Sequence, residues 1–102
     1  MSVAIPLTND LETVRAIVGR VLQGTDAKLI LFGSRARGDA RHWSDIDLAI
    51  QLAETSPHGV LSELRAAIEE SNILLNVDVV DLNEASPMLR EAVAREGIPW
   101  IA

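Results

Sequence analysis

A chain of 102 residues, 48% apolar and 24% charged, can bury one hydrophobic core and is too short for a second, so a single domain over residues 1–102 is expected. Its formal net charge of −6 sets a field that repels duplex nucleic acid and anionic membranes, so neither is expected as a direct partner. The absence of cysteine excludes disulfides and thiolate metal sites, and the two histidines cannot close a zinc site alone. A metal here must be held mainly by oxygen, which points to magnesium, calcium or manganese.

The N-terminal MSVAIPLTND has neither a basic leader nor an apolar run long enough for a signal peptide or a spanning helix. The chain is therefore expected to stay in the cytoplasm. Behind Asn9 or Asp10 as cap, Leu11, Val14, Ile17, Val18, Val21 and Leu22 recur at helical spacing and predict a helix from about residue 9 to 23, closed by Gly24. Lys28 leads LILF, a short buried strand ended by the turn at Gly33. In DIDLAIQL, Ile46, Leu48, Ile50 and Leu52 face one way and Asp45, Asp47, Ala49 and Gln51 the other, which predicts a strand with one core face.

Ser56 and Pro57 read as cap and first-turn proline of a second helix that carries Val60, Leu61, Leu64, Ala67 and Ile68 inward and ends near Asn72. ILLNVDVVDL reads as a third strand, and Ser86 with Pro87 starts a last helix that runs to Gly97. The tail IPWIA pairs as an edge strand or docks on a partner. The order helix, strand, strand, helix, strand, helix predicts an α+β domain, with helices layered on a small mixed sheet.

The chemistry concentrates in residues 31–50, LFGSRARGDARHWSDIDLAI. Residues two apart in a strand share a face at roughly 6.5 to 7 Å between Cα atoms, so Asp45 and Asp47 project side by side. Such a pair serves one cation, or two cations roughly 3.5 to 4 Å apart if a third carboxylate enters from a neighbouring strand. Asp78, between Val77 and Val79, matches that sidedness. An isolated D-x-D reads as readily as a turn, but here a glycine and a serine precede it. They let consecutive amides and a hydroxyl face a common anion, and SRAR, if it opens a helical turn, adds its N-terminal amides to that field. A P-loop is excluded, because no G-x-x-x-x-G-K-[ST] occurs.

Gly33-Ser34-Arg35-Ala36-Arg37-Gly38, then Ser44-Asp45-Ile46-Asp47-Leu48, then Asp78 resemble the signature of the minimal nucleotidyltransferases, small relatives of the DNA polymerase beta superfamily. The resemblance covers nearly the whole chain. It implies the nucleotidyltransferase fold and an ATP substrate, with Gly33 and Ser34 as phosphate contacts and Arg35 and Arg37 beside them. It further implies that Asp45 and Asp47 are ligands shared by two Mg²⁺ ions and Asp78 a ligand of the attacking-side ion, the three forming the catalytic set. Members of the family commonly act as antitoxin partners of HEPN-domain ribonuclease toxins, and some transfer AMP to a tyrosine of the toxin. A HEPN-type partner in a hetero-oligomer is the corresponding expectation here. A chain of this size that gives one sheet face to a nucleotide has little left for an acceptor pocket, which independently favours a protein partner.

Two other functions stay open at this point. One is a catalytically inactive module that neutralises a partner by occupation, and the other is a transferase acting on a small alcohol, which would need a further domain. Trp43 is expected to cover core surface, with base stacking as the lesser alternative, and Trp100 to contact a partner or, as the alternative, to join the core. His42, Asp39 and His58 read as loop or surface residues and Asp81 as a strand end.

Overall fold

The computed structural model describes residues 8–41 and 43–100. Along them run α1 (Thr8–Val21), β1 (Lys28–Phe32), α2 (Ser34–Arg37), β2 (Ile46–Gln51), α3 (Val60–Glu69), β3 (Val77–Asp81), α4 (Pro87–Glu96) and β4 (Ile98–Pro99). His42, the N-terminal stretch before Thr8 and the last two residues of the tail lie outside the described residues. The strands form one sheet in the order β3-β2-β1-β4. β1 is antiparallel to both β2 and β4, whereas β2 and β3 are parallel, joined by the crossover through α3. The expected small mixed sheet with helices packed on it is thus the observed one.

One sheet face carries Leu29, Leu31, Ile46, Leu48, Ile50 and Val79 against Val14, Ile17 and Val18 of α1 and Leu64 of α3. The alternation of DIDLAIQL sets this face, but the second face is not simply solvated. Ala49 is fully buried and pairs with Ile30, over which the C-terminal end of α4 lies: a Cβ on Gly97 would stand 2.5 Å from Ile30 Cγ2. The same face therefore has a covered middle and an open end, and the open end bears Asp47 and Asp78.

Several element boundaries differ from expectation for identifiable reasons. α3 starts at Val60, not at Ser56 and Pro57, because the Ser56 amide closes a turn onto the Ala53 carbonyl (3.0 Å) and the helical ladder begins with Glu63 N–H donating to Gly59 O (2.9 Å). It ends at Glu69, short of Asn72. β3 is shorter than ILLNVDVVDL, since the amides of Leu74 and Leu75 both donate to Asp10 Oδ2 at 2.9 Å instead of joining a ladder. Asp10 itself lies inside α1 and is buried. α4 follows expectation, with Ser86 Oγ accepting from Leu89 N–H at 3.2 Å and Pro87 in the first turn.

The tail pairs as an edge strand, with Trp100 N–H donating to Leu29 O (2.9 Å). Trp100 packs against the core of its own chain, with the Arg15 guanidinium 5.7 Å from its ring centre, the core reading of the two open for it and not the favoured partner contact. Trp43 departs in the opposite direction: it is 70% exposed and covers no core. No helix among the described residues is long and apolar enough to cross a membrane.

Candidate active site

β1 delivers the chain to Gly33, whose φ of 75° and ψ of −156° suit glycine alone. A second constraint acts at the same residue, since a Cβ there would stand 2.3 Å from Asp47 Oδ2. The turn is thus laid directly on the carboxylate of the neighbouring strand. SRAR does form one helical turn, α2, in which Ala36 and Arg37 N–H both donate to Gly33 O (3.1 and 3.0 Å). This leaves the amides of Ser34 and Arg35 outside the ladder, as at any helix start. α2 closes at Gly38 in the left-handed conformation, with Gly38 N–H returning to Ser34 O.

The loop from α2 to β2 is held by its own polar groups. Arg35 Nη2 donates to Ser44 O (2.9 Å), and Arg41 N–H donates to Ser44 Oγ (2.8 Å). Arg35 therefore braces the residue just before Asp45. Arg37 is exposed and bridges Asp39 Oδ2 (3.3 Å) and Glu96 Oε1 of α4 (3.0 Å). Hydrogen bonds to Glu96 and then Asp39 raise its pKa, and its charge reaches Asp47.

Asp47 and Asp78 are paired in register on parallel strands, about 4.8 Å apart across the ladder, and Asp45 lies one residue before β2. Asp47 is half-buried and its pKa is pushed up, first by desolvation and then by the charges of Asp78 and Asp45, against a smaller opposing pull from Arg37. In this arrangement no three acidic or histidine side chains among the described residues are close enough to hold one ion together. The structure thus brings Asp47 and Asp78 together and leaves Asp45, which is exposed, within electrostatic reach. The donor chemistry fits a hard divalent cation: oxygen ligands only, on carboxylates whose mutual repulsion a cation would relieve.

Asp39 is a loop residue and Asp81 ends β3, both as expected, the former bound to Arg37 and the latter accepting from Asn83 N–H at 2.9 Å, and His58 is exposed. Two contributors escape sequence reading. Glu96 fixes Arg37 from 59 positions away, and Asp10 fixes the approach to β3 from 64 and 65 positions away. Nothing local to either residue signals the contact.

A glycine turn and one helical turn set against carboxylates of two adjacent strands, on this mixed sheet, define a nucleotidyltransferase of the polymerase beta type. Residues 24–101 match the family described as polymerase beta, nucleotidyltransferase, and the chain belongs to that family. It is 35% identical over 82 residues to the probable protein adenylyltransferase MntA of Haemophilus influenzae, covering 78% of this chain and 72% of that protein. Among solved structures, a protein assigned as a minimal nucleotidyltransferase superposes with a TM-score of 0.70 at 33% identity, over 97% of this chain and all of the other. A complex of a tri-AMPylated HEPN toxin from Shewanella oneidensis with its MNT antitoxin matches with a TM-score of 0.63 at 25% identity, over 94% of this chain and 73% of the matched one.

Proposed function

We propose that this nucleotidyltransferase moves AMP from ATP to a tyrosine hydroxyl of a partner protein in the cytoplasm, and that the partner is a HEPN-type toxin which it restrains as an antitoxin within a hetero-oligomer. The observation that carries the reading is the in-register pair Asp47 and Asp78 beneath the Gly33 turn. The likeness to MntA of Haemophilus influenzae supports protein as the acceptor, and the likeness to the AMPylated toxin complex supports the partner.

In this mechanism the Gly33 turn, the Ser34 hydroxyl and the free amides at the start of α2 hold the triphosphate. Arg37 adds positive charge beside it, and Arg35 acts through Ser44 to fix the loop that presents Asp45. Asp45, Asp47 and Asp78 would hold two Mg²⁺ ions, which would supply neutralisation of the triphosphate and a lowered pKa for the acceptor hydroxyl. Asp78, exposed on the open end of the face, takes the proton of the attacking hydroxyl. The new bond joins the hydroxyl oxygen to the α-phosphorus, the bond from that phosphorus to the bridging oxygen breaks, and pyrophosphate leaves with the electron pair. An open face with exposed carboxylates suits a macromolecular acceptor, which closes the site from outside.

The test uses ATP labelled on the α-phosphate, Mg²⁺ and the partner protein, with wild type beside Asp47→Asn. Label is expected on the partner with wild type alone, and on its tyrosine after proteolysis. Full transfer by Asp47→Asn would overturn the assignment. Tight partner binding with neither label nor nucleotide binding would favour neutralisation by occupation.

A further inference from the structure

Among the described residues β3 closes its side of the sheet, with β2 as its one neighbour. Bonds from Ile46 N–H to Asn76 O and from Leu82 N–H to Ile50 O, both 2.9 Å, bracket the parallel ladder. Alternate residues of such a strand bond to the neighbour, so Val77 and Val79 turn their backbone groups to the open edge. One of these groups, the Val79 carbonyl, accepts from Arg65 Nη2 at 2.9 Å. Open strand edges are templates for pairing with another chain.

Between this edge and α3 runs a groove of about 510 Å³. Ile68, Ile73 and Leu75 give it a partly buried apolar floor, and Arg65, Glu69 and Asp78 an exposed polar rim. Leu74, beside the floor, is 76% exposed yet sits on fixed backbone, because the buried Asp10 carboxylate takes both its amide and that of Leu75. An apolar side chain displayed on clamped backbone is a built anchor. Val77 and Val79 turn their side chains to the side where the groove lies, while Asp78 between them joins Asp47 on the other sheet face, so a strand added along this edge sets alternate side chains over the groove and over the carboxylates.

We infer that the groove seats the acceptor as an extended, basic segment of the partner protein, which adds alongside β3 and delivers its hydroxyl to Asp78. The hydroxyl rests on the transfer reading above, whereas the docking rests on the edge, the groove and the charge. Glu69 and Asp78 outweigh Arg65 on the rim, and the chain as a whole carries −6, a field that draws a basic peptide and repels nucleic acid.

The isotope-labelled full chain would be titrated by amide NMR with three probes: ATP with Mg²⁺, a short peptide of alternating lysine and valine around one tyrosine, and the same peptide with glutamate for lysine. ATP is expected to shift Gly33, Ser34 and Arg35, which tests the transfer site by itself. The lysine peptide is expected to shift Leu74, Val77 and Val79, and the glutamate peptide to leave them in place. Glu69→Lys and Leu74→Asp, both at exposed positions, should each weaken lysine-peptide binding about ten-fold or more, roughly 1.4 kcal/mol, with the ATP response unchanged. No response to the lysine peptide, a response confined to the β4 edge, or an equal response to the glutamate peptide would overturn the docking. Docking of the lysine peptide without any ATP response would sustain the groove and remove the transfer reading.

Discussion

Replacing Gly33 with alanine, beside a glycine control, separates backbone strain from displacement of the Asp47 carboxylate proposed to act in transfer. At φ 75° and ψ −156° an L residue is in a sparsely populated region, which costs about 1 to 3 kcal/mol. A domain of this size loses about 4 to 8 °C of Tm per kcal/mol, so a fall of roughly 4 to 24 °C is expected. The added Cβ would stand 2.3 Å from Asp47 Oδ2 and 3.1 Å from its Cγ, so the carboxylate must retreat by about 1 Å to restore ordinary contact, a misplacement that costs on the order of 100-fold in rate. Gly59 is the control. Its φ is 82° but nothing lies within 4 Å of a Cβ built there, so Gly59→Ala is strained by roughly 1 to 2 kcal/mol and displaces no side chain. Calorimetric melts and AMP transfer under saturating ATP should show both variants less stable and Gly33→Ala alone slow. Wild-type transfer by Gly33→Ala, or an equal loss in Gly59→Ala, would refute the reasoning.

The raised pKa of Asp47 fixes a sign for the metal-free protein. Between the ordinary value of 3.8 and the raised one, the folded chain binds more protons than the unfolded chain, so this group lowers stability as pH rises through that window. Asp47→Asn should therefore melt above wild type at neutral pH in chelator, with the difference vanishing below the ordinary value, and added Mg²⁺ should stabilise wild type more than the variant. Asp10→Ala removes the acceptor of two amides and should cost about 2 to 3 kcal/mol, read as faster hydrogen exchange at Leu74 and Leu75, while Asp10→Asn, keeping one carbonyl acceptor, should recover roughly half. Ser86→Ala removes the bond from Leu89 N–H and should cost about 1 kcal/mol in chemical denaturation.

Whatever depends on near neighbours was legible in the order of the residues. Period-two alternation places Ile46, Leu48 and Ile50 in the core, and helical spacing does the same for Val14, Ile17 and Val18. The Ser-Pro pair at 86 and 87 marks the start of α4 because a cap and a fixed φ act within one turn. The same pair at 56 and 57 misleads, since its amide is spent in a turn with Ala53 and the ladder waits for Gly59. The D-x-D and the Gly-Ser turn were legible as chemistry, but their approach to within one missing Cβ of each other was not. Long-range packing sets β3 parallel to β2 with Asp78 opposite Asp47, brings Glu96 to Arg37, and lets Asp10 clamp the approach to β3. It also decided that Trp43 stands in solvent while Trp100 packs at home. Each of these contacts joins residues far apart in the chain and is fixed by the burial of other side chains, as is the exposure of Trp43, and no local period carries a trace of them.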